Sequence, residues 1–173
     1  MTMDSKTKAL SEKERLEEID RLDLLSDDVD EILNEYAQQA ADEFDLPISM
    51  VTVVMNEAQM WAGGHGLDDF PVDYRSGGVP VEWSICANSV ESRAPFVVPN
   101  TMENEKTKDN PAVQSGLMRC YAGVPMISKN GFILGNFCVS GSEEREFTDE
   151  EIARLREYAD KAVERIEENA AED

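Results

Sequence analysis

The chain has 173 residues, enough for one domain with helical flanks and a core that folds alone. Thirty-seven acidic against sixteen basic residues give a formal charge of −21. Such a surface repels nucleic acid and anionic lipid, which argues against both as partners. Only seven of the sixteen basic residues are lysine, a bias in line with a halophilic host, where salt screens the self-repulsion; the plainer reading is solubility. No apolar run approaches the roughly 20 residues of a membrane span. The N-terminal "MTMDSKTKALSEKE" lacks the apolar core of a signal peptide, so a cytoplasmic location is expected. Cys86, Cys120 and Cys138 are spaced irregularly. They form neither a disulfide framework nor a metal knuckle, and no metal site is expected.

In chain order, Ser11 and Glu14 make a capping-box signature. It opens "SEKERLEEIDRLDLL", whose Leu16, Ile19, Leu22 and Leu25 draw a narrow apolar stripe on an acidic helix. Residues 1–28 read as an acidic helical extension. A second helix follows, with Val29, Ile32, Leu33, Tyr36, Ala40 and Phe44 on one face, and Pro47 prevents its continuation. "ISMVTVVM" (48–55) is a buried strand and "QMWAGGH" (59–65) its hairpin partner. Residues 66–82 are rich in Gly, Pro and Asp and read as a loop. "WSICANSVES" (83–92) has the spacing of a short helix, with Trp83, Ala87 and Val90 on one face and Cys86 beside them.

"FVV" (96–98) is a short strand. The polar stretch 99–116 is a long loop with one helical turn at 111–115; loops of this length often carry function. "RCYAGVPMIS" (119–128) and "GFILGNFCVSG" (131–141) flank "KNG", a hairpin signal. Period two on the second strand places Phe132, Leu134, Asn136, Cys138 and Ser140 on one side, and Ile133, Phe137 and Val139 on the other. Thr148 and Glu151 open a last helix through a second capping box. Its stripe runs through Ile152, Leu155, Tyr158 (or Ala159), Ala162, Val163 and Ile166. Residues 29–168 form the main domain and 169–173 an acidic tail. The order of elements predicts an α+β domain with an antiparallel sheet, the end helices on one face and the short helix and loops over the other.

Six stretches together resemble a GAF domain of the small-molecule-sensing type: "LPISMVTVV" with "QMWAGGHGLD", "WSICANSV", "PFVVPNTMENEKTKDNPAV", "RCYAGVPMISKNGFILGNFCV" and "FTDEEIARLREYADKAV". "DNPAV", the "YAGVPM" strand and the spacing G-x-x-x-G-x-x-x-V carry most of the likeness. The resemblance implies a central antiparallel sheet of five to six strands, with N- and C-terminal helices on one face and a ligand pocket on the other. It further implies a homodimer through the terminal helices, and ligands such as cyclic nucleotides, bilins, small metabolites or haem. Such domains usually precede an output domain. Both ends here run out in acidic helices, so a signal is expected to pass to a separate signalling protein. Asn88 stands where many relatives carry a His after the cysteine, and Asn100 where an Asp is usual.

Cys86 has three readings: a thiol nucleophile, a chromophore attachment point or a small core residue. A nucleophile needs thiolate character from a neighbouring base, and nothing places His65, the only histidine, beside it. Bilin attachment in the resembling families uses a cysteine followed by His; Cys120 is followed by Tyr121. The resembling free methionine-R-sulfoxide reductases carry further cysteines before the short helix and in the loop before the "VPM" strand, and this chain has none there. The expectation is a non-catalytic, stand-alone sensor or interaction module with no catalytic residue and an unidentified ligand. Its candidate lining is Trp61, Trp83, Cys86, Met102, Tyr121, Asn136 and Cys138. The alternative is a methionine-R-sulfoxide reductase-like enzyme using Cys86, with Cys120 or Cys138 as the resolving thiol.

Overall fold

The computed structural model describes residues 13–22, 31–56, 58–66, 79–80 and 84–171. Its strands are β1 (Ile48–Val54), β2 (Ala58–His65), β3 (Val79–Pro80), β4 (Phe96–Val98), β5 (Cys120–Ile127) and β6 (Ile133–Gly141). They form one six-stranded sheet in the order β3-β2-β1-β6-β5-β4, with every pair antiparallel. The helices are α1 (Lys13–Arg21), α2 (Glu31–Phe44), α3 (Ala87–Ser92), α4 (Pro111–Gln114) and α5 (Asp149–Ala171).

Two local hairpins, β1–β2 and β5–β6, are joined at the centre of the sheet by the non-local β1–β6 pair. Every residue of β1 and β6 is buried, as strands covered on both faces require. The "KNG" turn closes the second hairpin with Gly131 at φ 88°, a conformation that glycine adopts without a Cβ penalty.

α1, α2 and α5 cover one face, where Ile19, Leu33, Phe44, Val53, Phe137 and Leu155 share a core. α3 and α4 cover the other, over Ile48, Met50, Val90, Val113, Tyr121 and Cys138. The second capping box forms as expected: the Thr148 amide donates to Glu151 at 3.0 Å, and the Glu151 amide to Thr148 Oγ1 at 3.1 Å. Ser11, Leu25 and Val29 lie outside the described residues.

The stripe expected to meet a second copy packs within the chain instead. Ile19 and Leu22 are buried in the helix-side core and Leu16 packs against it. Polar residues between them are also buried. Arg15 Nη1 donates to the carbonyls of Val54 at 2.7 Å and Ile133 at 3.2 Å. Glu18 accepts from Ser128 Oγ at 2.5 Å, Arg21 Nε at 2.6 Å and Asn130 Nδ2 at 3.2 Å. Arg21 also reaches Glu167 of α5 at 3.2 Å. The helix is therefore stitched to the β5–β6 turn.

Strict alternation fails on β6. Met126 pairs with Gly135 but Ile127 pairs with Ile133, which leaves Leu134 as the extra residue of a bulge. Leu134 consequently joins Phe137 and Val139 on the helix side, and Ile133 joins Cys138 on the other. Gly135 permits the bend: a Cβ there would lie 2.0 Å from the Thr52 carbonyl. β2 carries a second bulge, at Ala62, beside the Val51–Thr52 register shift. The stretch expected as a loop at 66–82 contains β3, which lies at the edge of the sheet among the described strands, a position where Pro80 is tolerated.

Hydrogen bonds from Arg21 first, then Ser128 and Asn130, outweigh burial and hold the Glu18 carboxyl below its ordinary range. A carboxylate depressed in the folded state contributes stability above its unfolded pKa, and that contribution is lost as pH falls through the folded value. Glu18→Gln is expected to lower the urea midpoint at pH 7. The gap from wild type closes as pH falls below the ordinary carboxylate range; a gap that persists unchanged in acid contradicts the charge-based account.

Candidate functional site

The site is built on the sheet face opposite the long helices. Thr52 of β1, Tyr121 of β5, and Asn136 and Cys138 of β6 lie in its floor. Cys86, at the N-terminal boundary of α3, comes down from above. All five are 1% exposed or less. Tyr121 Oη is the hub: it stands 3.0 Å from Cys86 Sγ and accepts from Asn136 Nδ2 at 3.0 Å. Asn136 is held in turn by Thr52, whose hydroxyl donates to the Asn136 carbonyl at 3.3 Å and accepts from its amide at 3.2 Å.

The tyrosine reaches this position by lying along its own strand over Gly123. A Cβ on residue 123 would sit 2.4 Å from Tyr121 Oη and 2.9 Å from Asn136 Nδ2. Gly123 is the register partner of Cys138, and Met50 pairs with Cys138 from the other side. Cys138 lies in the same buried cluster as Cys86 and Tyr121.

Burial pushes the Cys86 thiol up. Hydrogen bonds from Cys138, Thr52, Tyr121 and Asn136 together outweigh that push and hold it below the ordinary thiol value. Burial, reinforced by the Cys86 charge, raises Cys138 and Tyr121 well above theirs. A charge on Cys86 thus disfavours a second charge in the same cluster. Two polar atoms here meet no partner among the described residues: Asn136 Oδ1 and, on α3, Ser89 Oγ. Exchanging the two ends of the Asn136 amide leaves the same count, since one end meets Tyr121 and the other nothing.

Of the seven expected lining residues, Cys86, Tyr121, Asn136 and Cys138 come together. Trp61 packs half-buried against the same core and donates Nε1 to Met50 Sδ at 3.0 Å. Met102 does not join them. It is 38% exposed, with its sulfur 3.9 Å from Gln114 Nε2 in the long loop. Trp83 lies outside the described residues, and the described helix begins at Ala87, where Ser84 Oγ accepts from the Ala87 amide at 3.1 Å.

Asn88, in the place of a histidine, turns back to donate to the Ile85 carbonyl at 3.0 Å. Asn100 caps a turn by accepting from the Met102 amide at 3.0 Å, a role an aspartate would fill equally. Cys120 Sγ faces the Gly141 carbonyl at 3.9 Å, and of the two other thiols it is Cys138 that shares a buried cluster with Cys86. His65, at the end of β2, is the register partner of Ser49.

Thr52, Ser89 and Gly123 were not among the expected residues. Thr52 and Ser89 had faint signals: a threonine inside an apolar strand, and a serine three residues after Cys86 on one helix. Among the described residues no group of three His, Cys, Asp or Glu could hold a metal, and no helix is long and apolar enough to cross a membrane.

The family model for the GAF domain matches residues 26–167. A cyclic di-GMP phosphodiesterase of Pseudomonas aeruginosa is 29% identical over 150 residues, which is 86% of this chain and 24% of that protein. The chain thus spans about a quarter of that relative's length. The GAF domain of a phosphoenolpyruvate-protein phosphotransferase from Acinetobacter superposes with a TM-score of 0.67 at 13% identity, covering 92% of this chain and 97% of that one. A type II free methionine-R-sulfoxide reductase from Thermoplasma acidophilum superposes with a TM-score of 0.62 at 14% identity, covering 80% and 92%. At these identities the two structures speak to the fold alone.

Gly123→Ala drives a methyl into the Tyr121 hydroxyl and forces the ring off its two partners. Overpacking of this kind costs about 1–3 kcal/mol. Urea unfolding is expected to show that loss, together with faster reaction of Cys86 with a thiol reagent. A variant as stable as wild type, with Cys86 equally protected, contradicts the close approach.

Proposed function

The chain belongs to the GAF domain family, a family of sensory and regulatory modules, and from that premise we propose that it is a non-catalytic sensor whose recognition face lies beneath α3. The observation that carries this reading is the pair of unpartnered buried polar atoms, Asn136 Oδ1 and Ser89 Oγ. A buried polar group without a partner costs about 1–3 kcal/mol, so a face that keeps two such groups suits a ligand that supplies the missing hydrogen bonds. The ligand class is a small molecule presenting an N–H or O–H donor to Asn136, with an apolar body against Met50, Val90 and Trp61. Ligand sites of this composition, largely apolar with a few placed polar groups, are the general rule. The output is a change in contacts with a separate signalling protein.

A second reading is a thiol enzyme of the methionine-R-sulfoxide reductase type acting through Cys86. The observation in its favour is Cys138, which supplies a second thiol. Against it stand the burial of Cys86 and the absence of a basic partner for Cys86 among the described residues. Turnover of free methionine-R-sulfoxide with a thioredoxin system would establish it, and no turnover would remove it.

The sensor reading is tested by native mass spectrometry of the full chain after incubation with fractionated small-molecule cell extract. Wild type is expected to retain a discrete added mass that Asn136→Leu does not. An apo mass in every fraction overturns small-molecule sensing and leaves a protein-interaction module.

A further inference from the structure

Two of the three cysteines are neighbours that the fold has gathered from sequence positions 52 residues apart, 86 and 138. Cys86 Sγ is 3.0 Å from Tyr121 Oη, and that hydroxyl hangs over Gly123. Gly123 is the cross-strand partner of Cys138. Facing positions in an antiparallel pair have Cβ atoms about 4.5–5.5 Å apart. The two thiols thus belong to one buried cluster on the same side of this pair of strands, with the Tyr121 hydroxyl beside Cys86 in the space that Gly123 leaves. Cys120 is excluded from this arrangement, since its sulfur faces Gly141 at the end of the sheet.

We propose that Cys86 and Cys138 are a redox modification site, a dithiol that peroxides close to a disulfide and that cellular thiols reopen. Cys86 is the attacking sulfur because the Tyr121 hydroxyl, 3.0 Å away, can donate to its thiolate. The Cys86 thiolate attacks one oxygen of hydrogen peroxide and the O–O bond breaks. The departing hydroxide takes up a proton and leaves as water, and Cys86 becomes a sulfenic acid. The Cys138 sulfur then attacks the Cys86 sulfur. The S–OH bond breaks, and the hydroxide leaves as a second water with the Cys138 proton. Two thiols have lost two electrons and peroxide has gained them.

Hydrogen peroxide is little larger than water, so a local opening admits it despite the burial of both thiols. α3 is the element to open. It is six residues long, and its C-terminal boundary residue, Arg93, sits at φ 59°, a left-handed conformation uncommon for a side-chain-bearing residue.

Closure has a structural consequence. Sulfurs bonded at about 2.05 Å draw the start of α3 onto β6. Tyr121 then loses Cys86 as a partner and keeps only Asn136. The oxidised chain therefore presents a differently seated α3 over the face described above. The inference rests on the two thiols alone and not on the identity of any ligand.

The experiment is thiol mapping on the reduced full chain. Stoichiometric hydrogen peroxide is added, the reaction is quenched in denaturant with N-ethylmaleimide, and intact mass and peptide masses are read. The alkylated thiols are expected to fall from three to one, with a loss of two hydrogens and a cross-linked peptide joining Cys86 to Cys138. Dithiothreitol restores all three. Cys120→Ser is expected to fall from two alkylated thiols to none, and Cys138→Ser to accumulate a dimedone-reactive sulfenic acid at Cys86.

Three alkylated thiols at peroxide levels that oxidise free dithiothreitol would overturn the proposal. So would a cross-link through Cys120, or oxidation of Cys86 in wild type without linkage. Because the wild-type map stands by itself, a misfolded variant does not remove the test. An apo mass in the ligand experiment leaves this outcome unchanged, so the two readings fail separately.

Discussion

A phenol hydroxyl buried at the centre of a sheet face must find partners or destabilise the fold by about 1–3 kcal/mol, and Tyr121 finds two. Its oxygen joins Cys86 on α3 to Asn136 on β6. Ser84, just ahead of that helix, reaches β2 through Gln59 at 2.5 Å. The position of α3, and so the shape of the face it covers, follows from where the hydroxyl sits. That in turn follows from Gly123, where a Cβ would lie 2.4 Å from the hydroxyl.

The same two strands are gripped from the opposite side. Arg15 of α1 binds the carbonyls of Val54 and Ile133, near the bulge at Leu134. Thr52 and Asn136, two and three residues along those strands, hold the floor of the candidate site. The N-terminal helix and the recognition face therefore share a structural support with little between them. A guanidinium that satisfies carbonyls at the ends of two strands also offsets the cost of burying a charge.

Much of this was legible in the sequence because it is local. β-branched runs, the "KNG" turn, the second capping box and the periodicity of α2 and α5 each declare themselves within a few residues. The resemblance of six motifs to a GAF domain supplied the side on which a pocket should lie. What escaped was non-local. Period two gives no warning that Leu134 is an extra residue, since the bulge exists only relative to its partner strand. The target of the α1 stripe could not be read from the sequence because it is assembled from elements scattered through the chain. Gly123 reads as an ordinary strand glycine until the Tyr121 ring is placed over it. Four of the seven proposed lining residues gathered at one point because each sat on a well-defined element. Met102 did not, because the loop carrying it is pinned by its own asparagine caps and by Thr101 and Thr107.

The central claim is that the face beneath α3 keeps hydrogen-bonding capacity for a molecule the chain does not supply. High-resolution diffraction from crystals of the full chain, purified without denaturation, tests it most directly. The account predicts non-protein density with a donor atom about 3 Å from Asn136 Oδ1, in contact with Trp61 or Met50. An Asn136 oxygen fully bonded to another part of the chain, with only protein atoms around it, would contradict the claim.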